Sequence, residues 1–192
     1  LLDGLWNQAT AKGVCTNGLL LEKLDAGDTA SRPTLPPGFG DLAHVGITVE
    51  LWLSLRAAAS GQNPFTTMDD GGRGVRVVTS ELGGRPTLSI ELGDGARATV
   101  WHTDPGVVEA GKMHHVVFVC DFSAAVIAVV ADGQFCDGGA ARQYGWGRLP
   151  LELGDVRGAP HAALAPAVKG LRLYSRALRT TEAIGNFRAG GI

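Results

Sequence analysis

No apolar run in the chain approaches the roughly 20 residues that cross a bilayer, so no membrane partner is expected. The 17 Lys and Arg are scattered without a run and the formal net charge is −2. The chain therefore lacks the concentrated basic face that phosphate backbones demand, and nucleic acid is not expected as a partner. Cysteine is scarce: Cys15, Cys120 and Cys136 cannot all pair with one another, and none stands in a C-x-x-C arrangement that would hold zinc. Cys120 ends the apolar run from Val116 and reads as a small buried hydrophobe. There is no Gly-x-Ser-x-Gly, and Gly71-Gly72-Arg73-Gly74 lacks the Lys and the following helix of a phosphate loop. Neither a signal peptide nor an initiator Met precedes Leu1, which reads as a mature or excised fragment whose targeting information has been removed.

What is abundant is turn chemistry. Gly reaches 28 and Pro 9 while charged residues stop at 19%, a profile that suits short strands joined by tight turns better than a helical bundle. At 192 residues the chain fits one all-β domain, residues 1–192, large enough to bury a core without covalent staples. From Ile47 to Arg56, Ile47, Val49, Leu51, Leu53 and Leu55 alternate with polar or larger neighbours, which predicts a strand with one face on a core and the other towards solvent or a ligand. Weaker alternation predicts strands at Gly74 to Thr79, Thr87 to Leu92 and Ala96 to His102, with Gly83-Gly84 and Asp94-Gly95 as hairpin turns. The almost unbroken apolar stretches His115 to Cys120 and Val126 to Ala131 predict central strands covered on both sides. Leu149 to Leu153 and Val168 to Tyr174 complete the set. A short helix is expected from Thr180, as its cap, to Phe187, with Glu182 in the first turn. Ala183 stands where a capping box begun at Thr180 would need Glu.

Three segments resemble the signature blocks of laminin-G-like, concanavalin A-like domains found in bacterial secreted proteins. Ile47-Thr48-Val49-Glu50-Leu51-Trp52-Leu53 is similar to the strand "FTVEAWV", and Gly111-Lys112-Met113-His114-His115-Val116-Val117 followed by Asp132-Gly133 to "GKWHHVA…YVDG". Gly170-Leu171-Arg172-Leu173-Tyr174-Ser175-Arg176-Ala177-Leu178, with Glu182 and Ile184, is similar to "DEVRIYNRALSAEEI". The blocks keep the family's order over about residues 45–187. Met113 replaces the usual Trp, Val130 the common Tyr, and Lys169 the frequent Asp. The resemblance implies an all-β fold, an antiparallel two-sheet β-sandwich of the jelly-roll type, with one short C-terminal helix. It also implies a secreted, periplasmic or cell-surface setting and a polysaccharide or oligosaccharide as partner, often beside a covalently linked catalytic domain. The fold is shared by lectins, binding modules, hydrolases and lyases, so the site must decide between them.

Sugar recognition needs flat apolar faces against pyranose C–H surfaces and fixed donors for hydroxyls. Tyr144 and Trp146 in the Gly-rich loop Arg142 to Arg148 are the candidate faces, with Arg142 as a donor beside them; the alternative is that one ring plugs the end of the sandwich. Trp101, His102 and Asp104 end one strand, and Asp69, Asp70 and Arg73 sit in another turn; gathered together they would line a cleft, and taken singly they are ordinary turn formers. Trp52 is assigned to packing because the family keeps it across members with different ligands, and Trp6 fits either role. His114 and His115 are adjacent on a strand, point to opposite faces and cannot chelate one ion together. Calcium is the metal the resemblance allows, with Asp69, Asp70, Asp132, Asp137 and Asp155 as loop carboxylates outside any EF-hand pattern.

Catalysis finds thin support, because Glu81, Glu91 and Glu109 stand alone where retaining glycosidases of this fold carry Glu-x-Asp-x-x-Glu. Only Ser80-Glu81-Leu82 is weakly similar to a lyase motif. The expected function is a non-catalytic carbohydrate-binding module. One rival is a glycoside hydrolase or polysaccharide lyase using Asp70, His102 and Asp104, and a second is a structural or protein-binding domain.

Overall fold

The computed structural model describes residues 18–21, 34–43, 45–56, 60–137, 147–150 and 153–190. Twelve strands and one helix are found among them: β1 (Gly18–Leu21), β2 (Gly46–Ser54), β3 (Phe65–Thr66), β4 (Arg73–Leu82), β5 (Arg85–Asp94), β6 (Ala98–His102), β7 (Met113–Asp121), β8 (Val126–Ala131), β9 (Gln134–Phe135), β10 (Gly147–Arg148), β11 (Ala163–Leu164), β12 (Val168–Tyr174) and α1 (Thr180–Ala189). They form an antiparallel sandwich. One sheet has seven strands in the order β1-β12-β2-β7-β8-β10, with β9 also paired to β8; the other has five in the order β11-β3-β4-β5-β6.

Alternation drives the assembly. Val49, Leu51, Leu53, Val116, Phe118, Ile127, Val129, Leu171 and Leu173 face inward from the seven-stranded sheet against Phe65, Val75, Val77, Leu88, Ile90 and Leu92 of the other. Each such side chain contributes roughly 1.5–3 kcal/mol on burial. The β4–β5 hairpin closes through Gly83 and Gly84 at φ +60° and +75°, the left-handed backbone its two-residue turn requires.

Three expectations change. The second face of β2 does not meet solvent: Thr48, Glu50 and Trp52 are buried too, because α1 and its approach lie over them. Thr48 Oγ1 holds that approach, donating to the Arg176 carbonyl at 2.9 Å and accepting from Leu178 N–H at 3.0 Å. Leu149 to Leu153 is not a strand in its described part, residues 149, 150 and 153; Pro150 has no N–H to give a ladder, and pairing stops at β10. The helix is capped one residue earlier than expected, at Arg179, whose backbone N–H donates to Glu182 Oε2 at 2.8 Å. Counted from Arg179 the capping-box acid is present, and Arg176 grips the same carboxylate with two bonds of 2.9 Å.

Beneath α1 lies a buried polar cluster. Glu50, with no exposed surface, accepts from His115 Nε2 at 2.8 Å, Tyr174 OH at 2.8 Å, Asn186 Nδ2 at 2.9 Å and Arg172 at 3.4 Å. Trp52 packs between the His115 ring, 4.5 Å away, and the Arg172 guanidinium, 4.7 Å from its own ring. Trp52 is a packing residue, as read from the sequence. His114 points the other way, to Asp132 Oδ2 at 2.7 Å. Cys120 and Cys136 are both buried, and burial pushes the Cys120 thiol well above its ordinary range.

Candidate functional site

The two sheets differ in what covers them. The outer face of the seven-stranded sheet is roofed by α1 over a second apolar cluster of Val117, Val119, Val130, Tyr174, Leu178 and Ala183. Neither apolar cluster of the described residues lies on the outer face of the five-stranded sheet. The alternation that sends Val75, Val77, Leu88 and Ile90 inward turns Arg76, Val78, Ser80, Thr87, Ser89 and Glu91 outward.

Register sets these side chains in rows across the strands. Thr66, Arg76, Glu91 and Val100 form one row, and Val78, Ser89 and His102 the next. Arg76 donates through Nε at 3.0 Å and through a terminal nitrogen at 2.7 Å, both to Glu91 Oε2. Its side chain keeps 39% of its surface exposed, so the pair is open to a ligand. His102 Nδ1 lies 2.7 Å from Ser89 Oγ; Ser80 Oγ touches Ser89 Oγ and lies 2.7 Å from Thr87 Oγ1. The chain of hydroxyls fixes the imidazole at its end. Guanidinium, carboxylate and imidazole thus share one pleated face, each held by a neighbour, while the Thr87 and Ser89 hydroxyls are buried and serve to hold the imidazole, a preorganised polar arrangement that hydroxyl-rich ligands need.

Of the predicted site residues, the structure brings His102 onto this face. Trp101, its neighbour on β6, faces the other way and packs against the core between the sheets, because Ile90 opposite it is a core residue. The expectation that Trp101 lines a cleft is corrected accordingly. Asp104 lies beyond the end of β6 in a turn whose Val107 N–H donates to the Asp104 carbonyl at 3.3 Å, beside the start of β5. Arg73 opens β4 opposite Asp94, while His102 stands opposite Ser89. Five residues of strand put about 17 Å between those positions. Asp70 shares an open depression of about 410 Å³ with Thr66 and His161. Thr66 on β3 is three strand spacings, about 14 Å, from His102 on β6. A catalytic set of Asp70, His102 and Asp104 is therefore not assembled, and the single cleft expected from the two turns is not formed. Arg142, Tyr144 and Trp146 lie outside the described residues.

The expected calcium carboxylates are spread as well. Asp69 Oδ1 accepts from the N–H groups of Gly71 and Arg73, Asp132 holds His114 and the His115 N–H, and Asp155 pairs with Arg157. Among the described residues no three His, Cys, Asp or Glu side chains are placed to hold a metal ion. Asp94, at the far end of β5, accepts from the backbone N–H groups of Gly154, Arg97 and Ala96, and these bonds depress its carboxyl to about 2.

Sequence reasoning passed over Arg76, Thr87 and Ser89, met Ser80 only in a weak lyase-like fragment, and weighed Glu91 only as a lone catalytic acid. The signal was present: residues that alternate with the apolar positions of β4 and β5 must share the opposite face.

The profile of the Laminin_G_3 family, a concanavalin A-like lectin/glucanases superfamily group, matches residues 27–183. The chain belongs to this family. No curated protein matches it. Among solved structures, the Ruminococcus gnavus IT-sialidase CBM40 bound to α2,3-sialyllactose is similar at 12% identity and a TM-score of 0.57, covering 92% of this chain and 97% of that one. The binding domain of botulinum neurotoxin serotype D is similar at 11% identity and a TM-score of 0.57, covering 96% of this chain and 45% of that one. The heptameric SAP-like pentraxin of Limulus polyphemus, at 14% identity and a TM-score of 0.50, covers 73% of this chain and 69% of that one. At these identities the likeness carries the fold.

Proposed function

We propose that this domain is a carbohydrate-binding module whose ligand lies on the outer face of the five-stranded sheet, across Arg76, Glu91 and His102. The reading is carried by one observation: one sheet is roofed by a helix, while the other turns the Arg76–Glu91 pair outward beside the His102 imidazole, which the buried Ser89 hydroxyl holds in place. Such groups exchange water for sugar hydroxyls at low reorganisation cost. The likeness to a sialidase CBM40 bound to sialyllactose supports the same reading. From the sequence, Arg142 as a donor and Tyr144 and Trp146 as stacking rings are proposed to contact the glycan as well. The module works in a secreted, periplasmic or cell-surface protein, beside a catalytic domain that acts on the same polysaccharide.

A glycan array followed by affinity electrophoresis tests this. At least one glycan should be bound, and Arg76→Ala and His102→Ala should each weaken it about tenfold or more, the loss of one charge-assisted hydrogen bond. Trp146→Ala should weaken it likewise. Retention unchanged in all three variants refutes the face. Release of reducing ends or unsaturated products by the purified chain would instead establish the hydrolase or lyase.

A further inference from the structure

A second depression, of about 590 Å³, lies at the end of the sandwich where β2 finishes and β12 begins. Ser54, Arg56, Gln62, Pro166 and Lys169 contribute to its wall, and among the described residues no carboxylate lines it. The volume lies within the roughly 300–1,000 Å³ of small-ligand sites. Its frame is fixed by backbone bonds: Ser54 N–H to the Ala167 carbonyl at 2.9 Å, Ala165 N–H to Pro64 at 3.0 Å, and Thr79 N–H to Gln62 at 2.8 Å. Lys169 Nζ donates to the Pro166 carbonyl at 2.8 Å, which anchors the ammonium at the wall and leaves two of its three N–H donors free for a ligand.

Two cations in one concavity, with no acid among its described lining residues, repel each other, and an anion entering between them relieves that repulsion. The arrangement is unexpected in a chain of net charge −2. Lys169 also stands where the resembling signature frequently carries Asp. The outer row of the five-stranded sheet is a separate surface: none of Arg76, Glu91, Ser89 and His102 lines the depression.

We infer that this depression binds a compact oxyanion carried on a saccharide, a sulfate ester or a uronate carboxylate. Arg56 supplies a planar fork to two of its oxygens, Lys169 a point charge, and Ser54 and Gln62 neutral donors. The site goes beyond the proposed function, and it stands or falls separately from the sheet face.

Affinity electrophoresis of the full chain through gels holding dextran sulfate, polygalacturonate or neutral dextran tests it. One of the two polyanions should retard the chain while neutral dextran does not, and which of them does so identifies sulfate or carboxylate. Arg56→Ala combined with Lys169→Ala should weaken that retardation at least tenfold, and Lys169→Glu should abolish it. Lys112→Ala, which removes an exposed cation already paired with Glu109, should leave it unchanged. The response is read through Arg56 and Lys169, neither of them on the sheet face, so failure of that face and failure of this site read differently. Equal retardation by neutral dextran, retention by the double variant, or an equal loss in Lys112→Ala would overturn the inference. Matching urea midpoints for all variants confirm that the fold is constant.

Discussion

Replacing Glu50 by Ala takes one carboxylate out of the cluster beneath α1 and leaves four groups without it. Those groups come from three elements: His115 on β7, Arg172 and Tyr174 on β12, and Asn186 on α1. Arg172 keeps only 1% of its surface exposed, so its guanidinium cannot recover water in place of the lost carboxylate. Breaking a buried pair from one side costs about 3–5 kcal/mol, a large share of the roughly 5–15 kcal/mol that holds a domain folded. For a chain of this size the expected fall in Tm is about 10 °C, read by thermal and urea denaturation. Two comparisons isolate the cause. Glu50→Leu with Arg172→Met removes both charges and should lose less than Glu50→Ala alone, since neither ion is left buried. Glu109→Ala breaks the Lys112–Glu109 pair, whose side chains are 62% and 55% exposed, and should leave Tm almost unchanged, since solvent screens the pair. A cost below about 1 kcal/mol for Glu50→Ala, or a double variant that loses as much as or more than the single, would refute the argument that α1 is fastened through this carboxylate.

Asp94 should make the fold sensitive to acid. Its carboxyl is depressed to about 2 from an ordinary value near 3.8, so the stability it contributes is fully present above pH 3.8 and is lost as pH falls through 2. Asp94→Ala should lower Tm at neutral pH and flatten its fall between those values; an unchanged slope by calorimetry would count against the three N–H bonds. Gly74 sits at φ +141°, where an added Cβ would come within 2.6 Å of the Thr67 carbonyl and 2.8 Å of Met68 Cα. Gly74→Ala should cost more than about 2 kcal/mol in urea denaturation, whereas Gly83→Ala, at φ +60° with open space around it, should cost about 1 kcal/mol. Equal costs would show that steric contact at Gly74 is relieved.

Much of the sandwich was legible in the chain. The alternation of residues 47–55, the apolar stretches that became β7 and β8, and the double glycine between β4 and β5 each specify their element locally. The helix was legible in extent but not in its cap, because the capping acid is counted from Arg179, a residue with no intrinsic cap preference. The site was less legible. Trp101 and His102 are neighbours and were taken together, yet β pleating sends one into the core and the other to the open face, and which goes where depends on the register against Ile90 and Ser89. Arg76 and Glu91 are fifteen residues apart in the chain, and only the β4–β5 pairing makes them partners at 2.7 Å.

The order of residues by itself determined the class, the strands, the tight turns and the inward identity of Val49, Leu51, Leu53, Val75, Val77, Leu88 and Ile90, because period-two alternation and glycine turns are local properties of the backbone. Only the tertiary structure decided which outer face α1 roofs. That choice depends on where α1 docks, and α1 docks where Glu50, His115, Arg172, Tyr174 and Asn186, far apart along the chain, satisfy one another's buried charges and hydrogen bonds.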